Sequence, residues 1–140
     1  MSIRSDPKSS NRARVIVADD NLPMLDSLVR LLSKEHEVVA ALLDGEAALD
    51  AAARYAPDVV VLDIAMPGMS GIAAAARMKA QGMAAKVVFV TMHHDREYVT
   101  ESLAIGQVGF VVKDRLVSDL LPAVREVLAG HTFVSPSVAR

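Results

Sequence analysis

An α/β fold, with a parallel sheet covered by helices on both faces, is what this sequence predicts, and three observations carry the prediction. Five short runs rich in β-branched residues recur from Arg14 onward: VIVA at 15–18, EVVAALL at 37–43, DVVVL at 58–62, KVVFV at 86–90 and GFVV at 109–112. Longer stretches of helical period separate them, and parallel neighbours need crossovers of that kind. The third run is apolar at four successive positions, Val59 to Leu62, without polar alternation, which is the pattern of a strand buried on both faces.

The helices follow in chain order. Leu22, Leu25, Leu28, Val29 and Leu32 give the first helix one apolar face. Alanine-rich stretches around 46–54 and 71–80 supply the second and third, and a more polar stretch around 95–104 the fourth. Leu120, Leu121, Val124, Val127 and Leu128 form the apolar face of a fifth helix over 118–129. Ser118 reads as its N-cap, Pro122 falls in its first turn, and Gly130 stands where a C′ glycine belongs. Five strands, each followed by a helix, give a doubly wound five-stranded parallel sheet with five helices.

The chain has 140 residues, 52% of them hydrophobic, a formal net charge of −2 and no cysteine. One domain is the expectation. Without cysteine there is neither a disulfide framework nor a thiolate metal site, and the near-neutral charge offers no broad basic surface for nucleic acid. No apolar run approaches the roughly 18 residues of a membrane span, and MSIRSDPKSSNRAR carries no apolar export core. A cytoplasmic protein without membrane contact is therefore expected, with residues 1–12 as a disordered extension. His36 and His131 read as ordinary surface residues, and Met66, Met69, Met78 and Met83 as gap-fillers or loop contacts.

In sheets of this kind, ligands collect beyond the carboxyl ends of the strands. Those ends carry Asp19 and Asp20 after the first strand, Asp63 after the third, Thr91 after the fourth and Lys113 after the fifth. Three clustered carboxylates repel one another at a half-buried site unless a hard divalent cation takes their oxygens. Asp19-Asp20-Asn21 alone could equally be a turn or a helix cap. A carboxylate, a hydroxyl and an ammonium at the remaining strand ends are what set the combination apart.

The segments VIVADDN, VVVLDIAMPGMSG, VVFVTMH and GFVVKD, in this order and spacing, resemble the receiver domain of two-component response regulators over residues 13–131. The resemblance implies a flavodoxin-like sheet of order 2-1-3-4-5. It implies Asp63 as the phosphoacceptor, Mg²⁺ held by Asp19, Asp20, Asp63 and the backbone carbonyl of Ala65, and Lys113 contacting the phosphoryl oxygens. It also implies a switch in which Thr91 moves onto the aspartyl-phosphate and Phe110 turns inward. A sensor histidine kinase is the implied phosphodonor, so the domain catalyses only its own phosphorylation and dephosphorylation. His93, two residues beyond Thr91, and Met92 are expected at the site mouth as modulators of phosphoryl lifetime. Asp114 follows Lys113 where a proline is frequent in receivers, and Ile105 and Gln107 stand where small alanines are frequent.

Two other readings compete. A haloacid-dehalogenase-like phosphatase also uses a strand-end aspartate with Mg²⁺, but those enzymes carry a second acid two residues on, where this chain has Ala65. A degenerate receiver that docks without phosphorylation would usually have lost an acid or the lysine. After Gly130 the run HTFVSPSVAR places Ser135-Pro136 as the start of another helix. This resembles the receiver-to-linker junction of the subfamily with a helix-turn-helix output domain, of the NarL, FixJ and LuxR type. Residues 132–140 are thus expected to begin a linker, DNA being contacted only through a further domain and homodimerisation accompanying phosphorylation. A stand-alone regulator acting by protein docking is the alternative.

Overall fold

The computed structural model describes residues 12–92 and 96–136. Its elements are β1 (Arg14–Ala18), α1 (Leu22–Leu32), β2 (Glu37–Leu42), α2 (Gly45–Tyr55), β3 (Val59–Asp63), α3 (Gly71–Ala80), β4 (Lys86–Thr91), α4 (Arg96–Leu103), β5 (Val108–Val112), α5 (Leu116–Leu128) and β6 (Phe133–Val134). The sheet runs β2-β1-β3-β4-β5-β6, every pair parallel. The expected order is therefore present, and a sixth strand extends it beyond β5.

Strand alternation sorts the buried side chains into two cores. Ile16, Val60, Leu62, Phe89 and Phe110 point to one face, where Ala48, Ala52, Ala74, Ala75 and Met78 of α2 and α3 cover them. Val15, Val17, Val59, Val61, Val88, Val90 and Val111 point to the other, under Leu25, Leu28 and Leu32 of α1 and Leu120, Val124 and Val127 of α5. β3 and β5 are buried along their whole length, as a double-covered parallel strand requires. Leu22 departs from the expected apolar face: it is 62% exposed as the first residue of α1, beyond the reach of the sheet.

The caps show where local chemistry sets the boundaries. Asn21, Asp44 and Ser70 each accept the N–H three residues on, starting α1, α2 and α3. α5 begins earlier than expected, at Leu116, after a 3₁₀ turn over Lys113–Arg115. Ser118 is thus inside the helix, its single hydroxyl proton shared between Arg115 O and Asp119 Oδ1, and Pro122 lies past the first turn. At the far end Gly130 takes φ +87°, with its N–H donating to Val127 O and that of His131 to Glu126 O. These two bonds make the glycine-terminated stop that the sequence foretold.

His36 corrects the sequence reading. It is 2% exposed, and its Nδ1 accepts the Ala13 N–H at 3.1 Å, tying the turn before β2 to the start of β1. His131 is exposed, beside Glu126. Among the described residues no peptide bond is cis, so Lys113 and Asp114 are joined in trans.

Candidate functional site

β1 and β3 are neighbours, in register from Val15 with Val59 to Ala18 with Leu62. The residues after Ala18 therefore emerge beside Asp63, the last residue of β3. Asp19 is fully buried, Asp63 is 4% exposed and Asp20 is open to solvent. One carboxylate oxygen of each lies within 4.8 Å of the others. Lys113, just past β5, reaches back along the same sheet edge: its Nζ lies 2.8 Å from Asp19 Oδ2 and 3.5 Å from Asp63 Oδ2.

Burial raises the Asp63 carboxyl to about 6 and the Asp19 carboxylate pushes the same way, against the opposing pull of the Lys113 ammonium and the Ala65 N–H. The Ala65 N–H donates to Asp63 Oδ1 at 3.3 Å. Asp19 Oδ1 accepts the Asn21 N–H at 2.9 Å. Asp19 Oδ2, by contrast, is buried without an aligned hydrogen bond and is met by the ammonium of Lys113 at 2.8 Å. Three ionised carboxylates against one ammonium leave two negative charges. An all-oxygen donor set with that surplus, and with Asp20 open to water, fits a hard divalent cation that keeps part of its hydration.

The loop after Asp63 is held off the carboxylate by two glycines. A Cβ on Gly71 would lie 2.2 Å from the carbonyl oxygen of Asp63 itself, and one on Gly45 would lie 2.3 Å from that of Met69. The N–H of Gly71 donates to Ile64 O at 2.9 Å. α3 can therefore start directly under the strand end while Ala65, Pro67 and Gly68 stay at the surface, and Met66 turns into the core. Met69, as expected for a loop contact, packs partly buried against the same core.

Thr91 is fully buried at the end of β4, in register with Val112 of β5. Phe110 is fully buried beside Phe89, so its side chain already lies inward. Met92 is 66% exposed, immediately beyond Thr91. His93 lies outside the described residues. Two participants have roles beyond the sequence reading, which has Asn21 only within a turn or helix cap and does not single out Gly45. Asn21 supplies both the α1 cap and the N–H that fixes Asp19, and Gly45 makes room for the loop from a different helix. Asn after Asp-Asp hinted at the first, whereas no local signal pointed to the second.

Comparison with known proteins places this geometry. A family model described as the response regulator receiver domain matches residues 15–125. The chain belongs to that family. It is 32% identical over 132 residues to the transcriptional regulatory protein DegU of Brevibacillus brevis, covering 93% of this chain and 56% of that protein. It is 33% identical over 129 residues to the probable transcriptional regulatory protein NarL of Mycobacterium tuberculosis, covering 91% and 60% respectively. The chain thus spans somewhat over half the length of these relatives. Among solved structures, the signal receiver domain of M. tuberculosis NarL superposes with a TM-score of 0.82 at 32% identity, over 86% of this chain and 99% of that one. The isolated receiver domain of RcsB from Salmonella enterica, determined with the phosphomimetic BeF₃⁻, gives a TM-score of 0.84 at 25% identity, over 93% and 98%.

Proposed function

We propose that this chain is the phospho-accepting half of a two-component pair, taking a phosphoryl group from a histidine of a sensor kinase onto Asp63. The observation that carries the reading is the meeting of Asp19, Asp20 and Asp63 with Lys113 at one open strand edge. In the step, an Asp63 carboxylate oxygen attacks phosphorus as the P–N bond to the donor imidazole breaks, and the bonding electron pair returns to that nitrogen. Asp19, Asp20, Asp63 and the carbonyl of Ala65 would hold Mg²⁺, which when bound neutralises the phosphoryl oxygens and the clustered acids. Lys113 would stabilise the charge of the in-line transition state, and Thr91 would supply a hydroxyl to the product.

The modified site then biases an existing equilibrium toward the inward position that Phe110 takes in this structure, with Thr91 and Phe110 as the switch, and Met92 and His93 modulate how long the acyl phosphate lasts. The relatives are transcriptional regulators by name, and one RcsB structure is of dimers bound to DNA. By that likeness, residues 13–131 act as a cytoplasmic receiver that dimerises on phosphorylation, and a separate output domain contacts DNA. No described helix is long and apolar enough to cross a membrane. The test is incubation with acetyl phosphate. A persistent acyl phosphate that needs Mg²⁺ and is abolished by excess EDTA supports the reading. Steady phosphate release would indicate a phosphatase, and no reaction a degenerate docking module.

A further inference from the structure

Past α5 the chain folds back onto the edge of β5, where Phe133 pairs with Gly109 and Val134 with Phe110. The next residue, Ser135, is fully buried. Its N–H donates to Phe110 O at 2.9 Å, its hydroxyl donates to Asp119 Oδ2 at 2.8 Å, and the same hydroxyl accepts the Val112 N–H at 3.2 Å. Asp119 is itself 5% exposed and also receives Arg115 Nε at 3.0 Å and the Ser118 hydroxyl at 3.1 Å. A carboxylate this far from water needs such partners. They come here partly from α5 and partly from the returning segment, so Ser135 is where that segment, α5 and β5 are joined.

The joint falls next to the candidate site. Val112 directly precedes Lys113, whose ammonium faces Asp19 and Asp63, and Val112 is in register with Thr91. Of the three bonds to Ser135, the one from Val112 is the longest and the nearest to Lys113. It lies one peptide from Lys113, closer along the chain to the candidate site than the other two.

We propose that Ser135, held by Asp119, is a positioning residue that couples docking of the 131–136 segment to the state of Asp63 through Val112 and Lys113. The proposal rests on the receiver reading above. A phosphoryl group on Asp63 brings further negative oxygens that draw Lys113 away from Asp19, and the shift loads the Val112–Ser135 bond. The docked segment and the phosphorylated site thus oppose one another. By reciprocity of coupling, weakening the segment favours the modified site by the same factor that modification loosens the segment. The stretch of chain leading out of the sheet is then released by the chemistry at Asp63.

The experiment uses the whole 140-residue chain with Mg²⁺ and beryllofluoride as the phosphoryl mimic. Saturation should speed amide exchange at Val112 and Ser135 roughly fivefold, and Ser135→Ala should bind beryllofluoride roughly fivefold more tightly than the unsubstituted chain. A purely structural role for Ser135 would lower the stability of the free and bound forms equally and leave that affinity unchanged. Exchange that is unchanged or slowed, or a folded Ser135→Ala with unaltered affinity, overturns the proposal. If Ser135→Ala does not fold, exchange in the unsubstituted chain decides alone. Loss of beryllofluoride binding in Asp63→Asn establishes the receiver reading separately, so an unresponsive Ser135 would then sink only the coupling. Failure of the unsubstituted chain to bind would remove both.

Discussion

Lys113 and Asp19 form an ion pair at the carboxyl edge of the sheet, Nζ 2.8 Å from Oδ2, with the two side chains 9% and 0% exposed. Neither charge has much water to fall back on, and Asp63 stands 3.5 Å from the same ammonium. Removing one partner of a buried pair leaves the other uncompensated. Lys113→Met is therefore expected to destabilise the fold by roughly 3 kcal/mol in divalent-free buffer, with part of the loss recovered in Mg²⁺. Urea midpoints with and without Mg²⁺ check this. An unchanged midpoint would mean that the lysine does not hold the acids.

Asp63 gives a pH dependence of unusual sign for a carboxylate. Its folded value of about 6 lies above the unfolded value of 3.8, so the folded state binds the proton more tightly. Stability contributed by this group is then greatest below the unfolded value and is lost as pH rises through about 6. Asp63→Asn, which carries no charge to bury, should match the native chain near pH 3.5 and exceed it above pH 6 by about 1–3 kcal/mol without divalent ions. Paired denaturation curves across that range test the difference, because titrating groups remote from the site cancel. Equal stability at neutral pH would remove the electrostatic strain from the account.

His36 should behave in the opposite direction. Burial lowers its basicity, against the pull of Glu35 and with the help of Arg12 and Arg125, so the folded state resists its protonation. Its contribution is complete above the unfolded value of 6.5 and is lost as pH falls from there through the lower folded value, below which Nδ1 is protonated and can no longer accept the Ala13 N–H. His36→Leu is expected to cost about 1–3 kcal/mol at pH 8, and less at pH 5.5. Thermal unfolding at the two pH values distinguishes this from a surface histidine, whose replacement would do nothing at either.

The parts of this molecule legible in its sequence are those governed by period and position. Apolar runs mark all five strands of the expected sheet, and the residues at the strand ends include the acids, Thr91 and Lys113. What stayed hidden depends on contacts between distant segments. His36 looks like any polar residue between a helix and a strand, and only the approach of Ala13 gives its nitrogen a partner. Phe133–Val134 is too short to show alternation, and becomes a strand because β5 offers a free edge. Ser135 beside Pro136 carried a strong local signal for a helix cap, which concealed its bond to Asp119. Gly45 opens α2, and the room it leaves for the carbonyl of Met69 depends on a loop distant in sequence.

The central claim is that Asp63 accepts the phosphoryl group, and locating the label tests it most directly. Incubation with acetyl phosphate and Mg²⁺, reduction of the acyl phosphate with borohydride and peptide mass mapping should place the modification at Asp63. Asp63→Asn, still folded by circular dichroism, should lose labelling entirely while Asp20→Asn only slows it, since Asp20 stands at the solvent side of the cluster. Labelling of Asp63→Asn at a rate comparable to that of the native chain, or a label mapped to any residue other than Asp63, would contradict the account.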